Sequence, residues 1–387
     1  MRAALSVGQA DAPLATARPV ARNGGIDALR ASVTLLVVLH HTAITYGAIG
    51  GWYYKEIPPS MSASSVLLIL FCTINQAWFM GLFFLLAGYY TPPAFVRHGA
   101  GGFARGRLIR LGLPIIVYGL LLHPLTVALA ATARGRPFLH VFAYIWEHGL
   151  FEPGPLWFTE ALLLFSAAWL GWRLIAGAPR TARRAFPSDT ALLVAALATG
   201  AAAFFLRLLW PVGVNVGFLQ LGYFASYVVL FSAGCRAAEY GWLERIPTRQ
   251  MRRWRRIAWI ALPLLPLIGV LARHVPALAG RSEGGWNVPA LTYALWEPFV
   301  AWGLILALLS YFQVRFADLG GVWRHLTRRA YLIYIIHPPI LVAVALAWRA
   351  VAAPALLKFA VTGCVACALC YLAAGMLLRI PGVARVV

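Results

Sequence analysis

Apolar residues run in blocks of roughly twenty along this chain, and most charged residues fall in the gaps between them. A helix rises ~1.5 Å per residue, so about 20 apolar residues cross the ~30 Å hydrocarbon core of a bilayer. Ten blocks qualify: 29–49, 64–90, 108–131, 155–176, 189–210, 216–238, 257–273, 289–312, 330–348 and 354–378. A backbone in lipid must satisfy its own hydrogen bonds, so each block is read as a helix. The expected fold is an all-α integral membrane protein, a bundle of about ten transmembrane helices.

The gaps are too short to hold another domain, so residues 26–387 read as one ten-helix unit. Residues 1–25 are Ala, Gly, Pro and Arg without a period, and are expected as a mobile cytoplasmic tail. They lack the apolar core of a signal peptide, which leaves 29–49 as an uncleaved anchor. The longest outer gap carries FLHVFAYIWEHGLF, an amphipathic stretch expected to lie along the interface.

Composition agrees. The chain has 387 residues, 61% hydrophobic and 12% charged, where soluble domains run near ~25% charged. A net charge of +21 would suggest nucleic acid in a soluble protein. The placement of the charges rejects that. With the N-terminus inside, 25 of the 33 Lys and Arg fall in inner segments. The outer ones are Lys55, Arg134, Arg136, Arg207, Arg273, Arg281, Arg349 and Lys358. This is the positive-inside asymmetry, with both termini cytoplasmic. It accounts for the charge without nucleic acid and implies a multi-pass membrane protein. The five cysteines sit in or at the ends of blocks, and Cys364, Cys367 and Cys370 read as packing rather than a metal site. No metal is expected. The many small residues allow a homodimer without requiring one.

Ionisable groups in a bilayer are costly, so each is a functional candidate. The first block, LRASVTLLVVLHHTAITYG, holds two histidines. At 100° per residue, a step of eleven returns to within ~20°, so Arg30 and His41 share a face, ~16 Å apart. Thr34 and Thr45 lie near that stripe, His40 points away, and Asp27 is one turn from Arg30. An anion held by Arg30 at the inner face would have its reactive centre one long arm away at His41. Coenzyme A has that shape. A neutral histidine at its thioester can act as general base or as nucleophile. The plain alternative is a buried polar contact at His41 with Arg30 snorkelling to the surface.

Arg30, ten residues, then His41 resembles the signature of the membrane-bound acyltransferase-3 family. NQAWFMGLFFLLAGYYTPP (Asn75–Pro93), RLIRLGLPIIVYG (Arg107–Gly119), GPLWFTEALLLF (Gly154–Phe165) and YLIYIIHPPILVA (Tyr331–Ala343) resemble family segments in the family's order. The chain is most similar to the glucan-modifying branch. The resemblance implies ten core helices and transfer of an acyl group, usually acetyl or succinyl. The donor would be cytoplasmic acyl-CoA, as acetyl-CoA or succinyl-CoA. The acceptor would be a hydroxyl of an envelope carbohydrate or glycolipid. It implies catalysis by His41 and donor contacts at Arg30, Arg107 and Arg110. Gly106 interrupts the arginine run usual in that inner loop.

Depth along the helices nominates helpers. Glu160 lies ~7 Å and Glu297 ~12 Å from the outer face, against ~12 Å for His41. Either carboxylate beside His41 would hold its tautomer, or each is an interfacial acid next to Trp157 or Trp296. His123 is read as filling the carbonyl freed by Pro124, and His337 as part of a helix break nearer the inner face. WYYKE (Trp52–Glu56) suits a sugar or an interfacial belt equally. The rival of another class is a transporter or flippase for a glycolipid or organic anion, since carriers also bury His and Glu.

Overall fold

The structure, a computed structural model, describes residues 23–177, 179, 182–271, 275 and 281–386. The expected tail through residue 22, and Arg180 and Arg273 of the charge pattern, lie outside the described residues. Everything described is helix, turn or loop apart from two isolated bridges. Among the described residues fourteen α-helices follow one another. They are α1 Gly24–Thr45, α2 Ala63–Arg107, α3 Leu113–Val117, α4 His123–Thr132, α5 Phe138–Glu147, α6 Trp157–Ala176 and α7 Asp189–Leu209. Then come α8 Phe224–Tyr240, α9 Thr248–Ala261, α10 Leu264–Leu271, α11 Val288–Arg315, α12 Gly321–Ala347, α13 Ala355–Leu377 and α14 Val383–Val386.

Eight helical runs among the described residues are long and apolar enough to cross a membrane. The chain is a multi-pass membrane protein. One run, Ala63–Thr132, is 70 residues long and joins two of the expected blocks. It is broken at Gly99, which has φ 65°, and loosens into π-helical turns at Leu108–Gly112 and Tyr118–Leu122. The second π turn runs into Pro124, which lacks the N–H that would continue the ladder. The expected block 257–273 is not one helix: α9 and α10 are separated by a turn at Leu262 and Pro263.

Polar caps set the helix ends. Asn23 accepts from the Ile26 amide at 3.2 Å and starts α1 at Gly24, inside the stretch expected as tail. α1 is the hub of the bundle, packed by α2, α11, α12 and α13. α2 and α8 approach most closely where Gly88 meets Gly234. A Cβ on Gly88 would lie 2.1 Å from the Phe231 carbonyl oxygen, and one on Gly234 2.0 Å from that of Leu85. Only glycine permits this backbone contact. The amphipathic stretch after Pro137 forms α5, which buries Val141 and Ile145 against α4 and leaves Leu139 and Trp146 exposed.

Cross-contacts order the helix ends by face. Tyr53, just after α1, meets Gly154, just before α6. The start of α1 meets the end of α11 through Gly25 and Gln313. α6 therefore begins on the face where α1 ends.

Candidate active site

The last turn of α1 carries His41, and α12 carries His337 directly against it. Nδ1 of His41 lies 3.0 Å from Nε2 of His337, and the two rings are 15° from parallel. Nδ1 of His337 lies 2.7 Å from the Tyr334 carbonyl oxygen. That carbonyl is available because its usual helical donor, four residues on, is Pro338.

These contacts fix the tautomers of two neutral rings. A carbonyl only accepts, so Nδ1 of His337 carries its proton. Nε2 of His337 then holds a lone pair and accepts. Nδ1 of His41 must donate to it, which leaves the lone pair of His41 on Nε2. The chain of bonds turns His41 into a base with a defined free nitrogen. Trp52 lies over the His41 ring at 4.1 Å and 12°, fixing its plane. His41 is half-buried, whereas His337 is fully buried.

The expected depth of His337 is therefore corrected. It was placed nearer the inner face than His41, and it is the partner of His41. α1 ends at Thr45 rather than 49, and α12 starts at Gly321, nine residues before its expected block. The two helices are shifted along each other, and depth counted from block ends does not capture that shift.

His123 does not fill the gap before Pro124. Its Nδ1 lies 3.3 Å from the Tyr53 hydroxyl, which is itself 3.0 Å from the Tyr118 hydroxyl. Burial pushes the Tyr53 hydroxyl pKa up, so Tyr53 stays a protonated donor in this cluster. The loop from Tyr46 to Ile57 is closed at its neck, where the Glu56 and Ile57 amides both donate to the Thr45 carbonyl. It presents Trp52 inward, towards the two histidines.

Neither carboxylate proposed as a helper is a partner of His41. Among the described residues the rings in contact with His41 are His337, Trp52 and His40. Glu297 is buried on α11 and forms an ion pair with Arg207 of α7. Arg207 also donates through Nε to the Gly222 carbonyl at 3.0 Å and sits over the rings of Tyr223 and Tyr293. Arg207 had been counted as an outer loop charge, yet only 1% of its side chain is exposed. A buried carboxylate finds the nearest buried cation, and that cation is on another helix. Glu160 begins α6, which packs on α2; it is half-buried, with Oε2 buried and unpartnered.

Arg30 bonds Asp27 at 3.1 Å and keeps 40% of its side chain exposed. Thr34 and Thr45 leave the expected seam, because each hydroxyl donates to the carbonyl one turn back, of Arg30 and His41. Arg107 turns inward, donating to Thr91 at 3.0 Å and lying over Phe103. Arg110 points its side chain outward, while its carbonyl accepts from Tyr331 at 2.7 Å.

Two bowls flank this frame on opposite faces. One, of about 760 Å³, lies over Trp52 where α1, α4 and α12 end. The other, of about 600 Å³, lies where α6 and α8 end and is lined by Trp172, Arg173, Arg184, Arg236 and Tyr240. Its wall residue Trp169 meets Phe103, which carries Arg107. Sequence reasoning missed this second bowl, because its residues come from two blocks and a gap.

A model of the acyltransferase-3 family, described as an acyltransferase domain, matches residues 23–375. The chain belongs to the acyltransferase-3 family. No curated protein and no solved structure matches it. The acyltransferase-3 assignment makes this an acyl-transferring membrane enzyme, and both histidines of the dyad lie within the matched residues.

Proposed function

We propose that the protein is an O-acyltransferase of the bacterial inner membrane. It moves an acyl group, acetyl or succinyl, from cytoplasmic acyl-CoA to a hydroxyl of an envelope carbohydrate or glycolipid. The observation that carries this reading is the dyad, which leaves the lone pair of His41 on Nε2. A membrane-buried base of defined tautomer is what attack by an alcohol requires.

In this reading Nε2 of His41 takes the acceptor's hydroxyl proton as the oxygen bonds to the thioester carbon. The imidazolium is stabilised through its Nδ1–H bond to His337. The C–S bond breaks, and the proton passes from His41 to the departing sulfur, giving an ester and free CoA. A second route has Nε2 attack the thioester first, giving an acyl-histidine that the acceptor then resolves. Arg30, Arg107 and Arg110 meet the donor's phosphates, with the bowl at the ends of α6 and α8 reached from Arg107 through Phe103 and Trp169.

The reading also needs ten crossings and cytoplasmic termini. The 70-residue run is long enough for two crossings, and α9 with α10 would supply another. The alternation of helix ends between faces supports that topology.

The test is thiol release by pure protein in nanodiscs, offered acetyl-, succinyl- and longer acyl-CoAs. Release that disappears in His41→Ala and needs more donor in Arg30→Ala is the expected result. No release from any donor, with vesicle uptake of an organic anion that survives His41→Ala, would replace the enzyme by a carrier.

A further inference from the structure

We propose that the bowl over Trp52 is the acceptor subsite and that it selects a saccharide bearing an anionic group, carboxylate or phosphate. The proposal rests on the acyl-transfer reading for the word acceptor, and on the bowl itself for the rest.

The bowl adjoins the base. Its lining includes Trp52, whose ring lies on that of His41 at 4.1 Å. A sugar seated there is one side chain from Nε2. Trp52, Tyr53 and Tyr54 line the bowl together with Lys55, Arg134 and Arg349. Aromatic faces take the C–H face of a sugar ring, and the cations take an anion.

The charge is lopsided. Glu56 is the sole carboxylate in the lining, and the buried Lys358 already pairs with it. The three lining cations remain uncompensated within the bowl. Lys and Arg are scarce on the face opposite the arginine-rich loops, yet three of the eight expected there converge on one bowl.

Two buried polar atoms of the lining also have no partner: Nε1 of Trp52, a donor, and Oε2 of Glu56, an acceptor. Burying such atoms unpaired is costly. A saccharide hydroxyl both donates and accepts, so it can pair with either atom once a side-chain shift exposes it. An interfacial belt of aromatics explains less. It needs neither the inward bonds of Tyr53 to Tyr118 and His123 nor the buried Glu56–Lys358 pair.

The experiment is equilibrium binding to the full chain in nanodiscs of zwitterionic lipid, which removes anionic headgroups as competitors. Three matched tetrasaccharides serve as probes: neutral cellotetraose, a glucuronate-containing counterpart and a 6-phosphorylated counterpart. At least one anionic probe should bind about tenfold tighter than the neutral one, and added salt should erode the difference. The two anionic arms tell carboxylate from phosphate. Arg134→Gln with Arg349→Gln should abolish the preference, and Arg281→Gln should keep it. Both arginines of the double variant are exposed, so its thermal unfolding should match wild type. Equal binding of neutral and anionic probes, no binding of any, or a preference that survives the double variant would overturn the proposal. Thiol release is read on the same samples. His41-dependent release with no anion preference sinks the bowl and spares the transferase. Anion preference without His41-dependent release does the reverse.

Discussion

Two of the polar pairs that bridge helices in this bundle are built on opposite terms. Arg207 and Glu297 are charged and closed in: the guanidinium is also held by the Gly222 carbonyl and covered by Tyr223 and Tyr293. His41 and His337 form a neutral pair anchored to one carbonyl, with a nitrogen left over at the half-buried end. A charged pair enclosed by its neighbours holds α7 to α11, with Nη1 of Arg207 left unpartnered. A neutral pair keeps a proton acceptor at its half-buried end. Cost in the membrane marks both pairs as important; access from outside the bundle separates their roles.

The largest effect should fall on the open pair. His41→Ala removes the base and should lower acyl transfer about a thousandfold, which is about 4 kcal/mol in the barrier. Thermal unfolding should hardly move. An equal loss of unfolding temperature and activity would make His41 a structural residue like Arg207.

The closed pair should respond the other way. Glu297→Ala strands a buried guanidinium and should cost about 3 kcal/mol of stability. Arg207→Met combined with Glu297→Leu should restore most of it, because no charge is left unpaired. Thermal unfolding reads both. A Glu297→Ala protein that keeps its stability but loses transfer would return Glu297 to the catalytic role expected from its depth.

His337 tests whether the open pair works as a relay. His337→Phe leaves the Nδ1–H of His41 without its acceptor and frees the tautomer. kcat should fall about thirtyfold at unchanged KM, roughly 2 kcal/mol. His337→Gln supplies a carbonyl oxygen for the same bond and should recover most of the loss. Equal loss in both variants would reduce His337 to packing.

The same contrast explains what the sequence could reveal. Arg30 and His41 share one helix, so the helical period alone placed them on one face. The dyad and the ion pair each join two helices, and their registers depend on relative shift and on where helices end. The signals were nonetheless present. Pro338 after His337 implies a free carbonyl at Tyr334; the same rule fails for His123 before Pro124, whose ring goes to Tyr53 instead. Arg207 lies within an apolar block, three residues from its end, so it had to find a buried carboxylate. The class of fold was legible from patterning, and so was His41 as a polar group set in an apolar helix. The partner of that histidine was not, because hydropathy records only whether a segment crosses.

The smallest effect should come from Trp52, which belongs to neither pair and covers one of them. Its indole is nearly parallel to the His41 ring, and such a stack contributes about 1 kcal/mol. Trp52→Phe keeps a flat ring over His41 but removes the unpartnered Nε1–H. kcat should hold, and KM for the acceptor should rise about fivefold, the loss of one hydrogen bond. Trp52→Ala opens the base to water from the bowl. Thioester hydrolysis without acceptor should then rise relative to transfer, since water competes for the same lone pair. The Arg207–Glu297 pair needs no added shield, because only 1% and 4% of its two side chains are exposed. If Trp52→Ala leaves hydrolysis unchanged, the indole does not shield His41, and the openness that sets this pair apart must lead elsewhere than to the bowl.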